Sequence, residues 1–157
     1  MFSNPLTEKL AAFVRSVGIE VRAAELGDTF LPGLEIRDGA LLVDETRLIY
    51  PGDILHEAGH IAVSDPATRK TAPVSTDPGE EMAASAWSYA AARELGIDPA
   101  IVFHDGFKGG GANTVKNFNA GRYFGVPMLH WFGMSVEPRQ AAAMGLEPYP
   151  QMLRWVR

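Results

Sequence analysis

The chain of 157 residues contains no cysteine. That absence excludes a disulfide framework and any thiolate metal site, so a metal would have to be held by His, Asp or Glu. Positive charge is also short: 14 Lys and Arg stand against 19 Asp and Glu, a net charge of −5. With no long basic run to neutralise phosphates, nucleic acid is not an expected partner. No apolar stretch is long enough to span a membrane. The start, Met1-Phe2-Ser3-Asn4-Pro5-Leu6-Thr7-Glu8-Lys9, lacks the basic segment and apolar core of a secretory signal. The expectation is a cytoplasmic protein with no membrane partner. Hydrophobic residues make up 46% and charged residues 21%, which suits one soluble globular domain over residues 1–157.

Against that plain background stands the pentad His56-Glu57-Ala58-Gly59-His60, set in the apolar run Ile54-Leu55-…-Ile61-Ala62-Val63. On a helix, residues four apart lie one above the other on one face, so both imidazoles can reach one ion. Glu57 lies about 100° around the helix from His56 and can flank a bound water without ligating. Two nitrogens, a nearby base and an open position are the parts of a zinc hydrolase site. The plainer reading is two core histidines on an ordinary helix. A chance pentad is expected in roughly one per cent of chains of this size or fewer. A helix apolar nearly all round is a buried one. Burying Glu57 with two histidines is unfavourable unless something compensates, and a cation does so. Gly59 costs a helix interior roughly 1 kcal/mol relative to alanine, and a glycine there is useful where another backbone or a substrate must come close.

The surrounding pattern predicts an α+β chain. Residues 5–17 carry apolar positions at helical spacing, ended by Gly18. Ile19 to Val21 begins a strand. Leu34-Glu35-Ile36-Arg37, the turn Asp38-Gly39 and Ala40-Leu41-Leu42-Val43 form the strongest hairpin signal. Arg47 to Tyr50 reads as a further short strand, and Asp53 or a neighbour as the cap of the pentad helix. Residues 64–77 read as a loop. Helices are predicted over 78–95, from Pro99 to His104, over 113–123 and over 138–144, with a tail that packs back. A small, mainly N-terminal sheet thus precedes the pentad helix, and the second half is helical.

Two histidines hold zinc weakly, so a third ligand is needed. The extended pattern H-E-x-x-H-x-x-G-x-x-H fails, because Val63 takes the glycine place and Pro66 the last ligand place. On the next helix Glu80 and Glu81 both qualify. Asp77-Pro78-Gly79-Glu80 reads as a helix start with Glu80 as capping-box partner, which favours Glu81 for the metal while leaving both in play. Glu81 also heads a stripe of small residues, Ala84, Ser85, Ser88 and Ala92, that allows close packing. Two acids at a helix start are in any case favoured by the dipole alone.

With these residues in hand, the chain resembles the gluzincin metallopeptidases. The match lies in His56-Glu57-Ala58-Gly59-His60 and in Glu81-Met82-Ala83-Ala84, an E-x-x-A on the following helix. The order of hairpin, pentad helix, loop and glutamate helix looks most like the small ImmA/IrrE type of bacterial zinc peptidase, over roughly residues 34–95. The resemblance implies a zincin-like fold, Zn2+ held by His56, His60 and Glu81, and Glu57 as general base. It also implies a peptide or protein substrate lying along an edge strand, with Ala40–Val43 as the candidate. Many relatives carry an acid just after E-x-x-A to support a ligand histidine, whereas this chain has Ser85.

A zinc peptidase needs a second donor for the developing oxyanion, and the candidates are His104, His130, Tyr123 and Arg122. Each has a plainer reading: a helix-end histidine, a core histidine, and two packing or surface residues. Glycines 109–111 follow Lys108 and lack the order of a phosphate loop, so a lid or connector fits them. The alternative function is a non-proteolytic zinc-binding sensing or protein-interaction module that retains the pentad, and a third is hydrolysis of another amide or ester bond.

Overall fold

A computed structural model describes residues 1–108 and 110–157. Among these, six α-helices and one three-stranded sheet form a mixed α+β fold. The first helix, α1 (Pro5–Ser16), begins where the Asn4 side chain accepts from the amides of Leu6 and Thr7 at 2.9 and 3.1 Å. Its Leu10, Ala11 and Val14 are fully buried. The strands are β1 (Val21–Ala23), β2 (Leu34–Arg37) and β3 (Ala40–Val43). Asp38 and Gly39 both have positive φ, 53° and 77°, as a two-residue type I′ hairpin requires. The register pairs Leu34 with Val43 and Arg37 with Ala40.

The strand order is β1-β3-β2, with β1 parallel to β3. This corrects one expectation: Ala40–Val43 is the central strand, not an edge. Its amides and carbonyls are engaged on both sides and all four residues are buried, so no substrate chain can pair with it. The edges are β1 and β2. The strand expected over Arg47 to Tyr50 is also absent. Asp44 turns the chain there instead, accepting from Thr46 N and Oγ1 through its side chain and from Arg47 and Leu48 through its carbonyl.

Two helices carry the centre of the molecule, α2 (Asp53–Val63) and α3 (Pro78–Leu95), and they share the most extensive interface in the fold. Gly59 of α2 faces the backbone of Ala84 on α3, where an added Cβ would sit 2.7 Å from the carbonyl oxygen. The glycine and a nearly continuous alanine face over Ala83–Ala92 let the two backbones meet. Beyond α3 come a single 3₁₀ turn (Pro99–Ile101), α4 (Ala112–Asn119), α5 (Val126–Trp131) and α6 (Pro138–Met144). The helices expected through His104 and Tyr123 are therefore shorter than their sequence patterns. The tail does pack back: the Trp155 carbonyl accepts from Trp87 Nε1 at 2.8 Å, and the Arg157 amide reaches the Ala62 carbonyl at 2.9 Å. No helix among the described residues is long and apolar enough to cross a membrane.

Candidate metal centre

The pentad lies on α2, whose Ile54, Leu55, Ala58, Ile61, Ala62 and Val63 are buried in the core. The helix begins tightly at Gly52, where a Cβ would fall 1.8 Å from the carbonyl oxygen of Ile101. No side chain caps it. Of the expected cap, Asp53 or a neighbour, it is the neighbour Gly52 that takes the position; Asp53 is the first helical residue, and its carboxylate turns inward to His104.

His56 and His60 stack one turn apart, with rings at 88° and centroids 4.8 Å apart. Their Nε2 atoms approach to 3.2 Å. The Glu81 carboxylate completes a triangle: Oε1 lies 3.1 Å from His56 Nε2, and Oε2 lies 2.7 Å from His60 Nε2. Glu57 joins the two histidines in a trio whose donor atoms all lie within 4.8 Å of one another, a group able to hold a metal ion. Two carboxylates therefore flank the imidazoles, and Glu81 makes the closer contacts.

The donor set fits a divalent cation. Ligands of a tetrahedral zinc with bonds of 2.0–2.1 Å stand about 3.3 Å apart, close to the spacing here. Nitrogen and carboxylate oxygen without sulfur suit such an ion. Oε1 of Glu81 is buried and makes no aligned hydrogen bond, although His56 Nε2 and Lys108 Nζ stand 3.1 and 2.8 Å away. A partly buried carboxylate that gathers two imidazoles and an ammonium presents the negative charge that a cation would meet. His56 Nδ1 is also buried, and no described residue gives it the support that a ligand histidine usually receives on its other nitrogen. Ser85 does not replace it; its carbonyl accepts from the Ser88 hydroxyl.

Charge is distributed unevenly across the site. Burial alone would raise the Glu81 carboxyl, but His56, His60 and Lys108 more than offset this and hold it far below the usual carboxylate range. Burial raises the Glu57 carboxyl above its ordinary value, against the opposing pull of the two histidines. Burial likewise raises Asp53, opposed by the hydrogen bond from His104.

Glu80 takes no part in this centre. It lines a separate cleft of about 280 Å³ with Arg37, Asp38 and Arg69. The capping box that was to occupy it does not form either. Asp77 caps α3 by accepting from Gly79 at 2.6 Å, and its own amide goes to Ser75 Oγ at 3.1 Å. Glu81 is thus the better placed of the two acids, for a packing reason rather than the capping reason.

The centre opens into a cleft of about 920 Å³ whose lining includes Phe30, Leu31, Pro32, Tyr50, Val74 and Pro78. Of the four oxyanion candidates only His104 lines it. His104 Nδ1 accepts the Gly106 amide at 3.1 Å, so Nε2 carries the hydrogen and donates it to Asp53 Oδ1 at 2.6 Å. Both ring nitrogens are therefore occupied. His130 Nδ1 accepts the Glu137 amide at 3.1 Å, Tyr123 packs on Tyr149, and Arg122 is exposed. Sequence reasoning missed Asp53, Tyr50 and Phe107 as lining residues. Asp53 lies three residues before His56 on the same helical face, which was a usable signal; its partner lies 51 residues away and gave none. The expected glycine lid falls partly on Gly109, outside the described residues. Gly111, by contrast, is wedged against the Phe103 backbone and is no hinge.

Comparison with protein-family models, with curated proteins and with solved structures finds no match for this chain.

Proposed function

We propose that this protein is a zinc-dependent peptidase with a zincin-like site, in which His56, His60 and Glu81 hold the metal and Glu57 is the general base. One observation carries the reading. The Glu81 carboxylate closes on the Nε2 atoms of His56 and His60 from a separate helix, with Glu57 beside them, at the floor of an open, largely apolar cleft. A buried core pair of histidines would need no cleft and no second helix to supply an acid.

A zinc ion bound there would supply Lewis acidity and a water of lowered pKa. The Glu57 carboxylate oxygen takes a proton from the attacking water and passes it to the leaving nitrogen of the substrate. Phe107, edge-on to His56 with centroids 5.2 Å apart, shields that imidazole from solvent. The apolar walls receive side chains of a peptide and exclude water around the reacting bond. The resemblance to the gluzincins supports a peptide bond as the target over another amide or an ester.

A second reading, a metal-binding sensing or interaction module without turnover, is favoured by one specific observation. His56 Nδ1 has no partner among the described residues, and a ligand histidine without such support binds metal less firmly.

Metal analysis of the purified protein, with Glu57→Gln alongside the wild type, tests both readings. The peptidase reading expects stoichiometric zinc in each and a loss of turnover by about a hundredfold or more in the variant. Stoichiometric zinc with no cleavage across a broad panel of peptides and proteins replaces it with the module.

A further inference from the structure

The segment 104–108 roofs the cleft and is fastened at two points. At one end His104 donates to Asp53 at 2.6 Å and stacks on Tyr50 with centroids 3.6 Å apart. At the other end Lys108 Nζ lies 2.8 Å from Oε1 of Glu81. The two fastenings differ in kind. The first uses no residue of the proposed ligand set. The second spends its charge on a ligand oxygen, the same oxygen that makes no aligned hydrogen bond.

An ammonium and a divalent cation cannot both stand against that carboxylate without strong repulsion, since like charges a few ångströms apart interact strongly when partly shielded from water. The lysine is the one that can leave. Its side chain is 59% exposed, against 26% for that of Glu81, so solvent is open to it. No other ion pair in the described residues holds it in place.

We propose that Lys108 is a built-in competitor of the metal: its ammonium neutralises Glu81 in the metal-free protein and is expelled on metal binding. Metal affinity is thereby coupled to the fastening of the roof. The coupling is reciprocal, so whatever draws Lys108 away from Glu81 tightens metal binding by the same factor. Once expelled, Lys108 is the only Lys or Arg among the described residues lining the cleft, and an anionic group of a ligand would meet it there. The inference rests on the metal site proposed above but not on peptidase activity, and its test does not use turnover.

The test is a titration of metal-free wild type, Lys108→Met and Lys108→Arg with Co2+ and with Zn2+ against a competing chelator. Methionine keeps the length and apolar stem without the charge, and arginine keeps the charge. Lys108→Met is expected to bind metal about tenfold more tightly or better, with Lys108→Arg close to wild type. The gap between wild type and Lys108→Met should narrow as salt screens the repulsion. Equal affinity in all three proteins overturns the inference and leaves the metal site standing. Weaker binding by Lys108→Met also overturns it, because Lys108 would then steady Glu81 for the metal. Failure of all three to bind either metal removes the site and the inference together.

Discussion

Glu80 and Glu81 are adjacent, identical in chemistry, and separated in this fold by roughly one third of a helical turn. That rotation puts one carboxylate on two histidines and the other in a neighbouring cleft. The pair is therefore an internal control. Glu81→Ala is expected to lower zinc affinity by about a hundredfold or more, beyond what loss of a supporting residue alone brings. Glu80→Ala should leave affinity within about twofold of wild type, as a surface change away from the ligands would. Zinc titration against a competing chelator reads both. Equal losses, or a larger loss for Glu80, would remove Glu81 from the ligand set. At this scale the sequence was a good guide where chemistry is local. The His-x-x-x-His spacing alone puts two imidazoles on one face, and Asp77-Pro78 marks a helix start unaided. It was a poor guide where a residue's role depends on a distant partner. Nothing near His104 says that its ring will meet Asp53, 51 residues away.

Between elements, the crossing of α2 and α3 decides whether a site exists at all. The Glu81 carboxylate reaches the histidines because Gly59 lets the Ala84 backbone approach. Gly59→Ala sets two effects against each other. Helix propensity favours alanine by about 1 kcal/mol. An added Cβ would lie 2.7 Å from a backbone carbonyl oxygen and 3.2 Å from Ala84 Cα, and backbone cannot swing aside as a side chain can. Overpacking of this kind costs about 1–3 kcal/mol, so the net expectation is destabilisation, seen as a lower midpoint in urea. The sharper expectation is loss of zinc affinity, because parting the helices carries Glu81 away from His56 and His60. A variant more stable than wild type with unchanged affinity would show that the close approach is incidental. The elements themselves were legible where punctuation is strong: Pro78 and Gly96 bound α3, Pro138 and Gly145 bound α6, and Asp38-Gly39 makes the hairpin. Their assembly was not. The parallel pairing of Val21–Ala23 with Leu41–Val43 joins residues about twenty apart across the whole of β2 and its hairpin turn, and it converts the expected edge strand into the central one. The end of α2 is likewise set from afar: the Arg69 guanidinium reaches the carbonyls of Ile61, Ser64 and Arg157 at 2.9, 2.9 and 3.0 Å.

Over the whole molecule, the carboxylates fall into two sets with opposite consequences for acid stability. Asp44 is held below its ordinary value of 3.8, first by the amide of Leu26 and then by the Thr46 hydroxyl, with only 5% of the residue exposed. Glu8 and Glu45 are lowered chiefly by backbone amides at the N-terminus, those of Phe2 and Asn4 respectively. A carboxyl lowered on folding binds fewer protons in the native state. Its stabilisation is complete above its unfolded value and is lost as pH falls through the native one. Asp53 and Glu57 are raised by burial, and the sign reverses: they take up protons first in the folded state, so acid relieves their burial before it removes the other set's support. The metal-free protein should therefore gain stability as pH drops from neutral toward mildly acidic values, then lose it below about pH 4. Urea melts of metal-free protein across pH 3 to 8 read the curve, and Asp44→Asn tests its acid limb. Oδ2 of Asp44 accepts from Leu26 and Oδ1 from Thr46; asparagine keeps one of these oxygens, turns a donor amide toward the other partner and cannot titrate, so this variant should be less stable than wild type at neutral pH, with the gap narrowing in acid. A constant gap across the range would mean that Asp44 acts through shape rather than charge. Zinc at the proposed centre should invert the upper part of the curve, because ligands must be deprotonated to hold a metal and acid therefore opposes its binding. Loaded protein is then expected to lose stability, as pH falls from neutral, where the metal-free protein gains it.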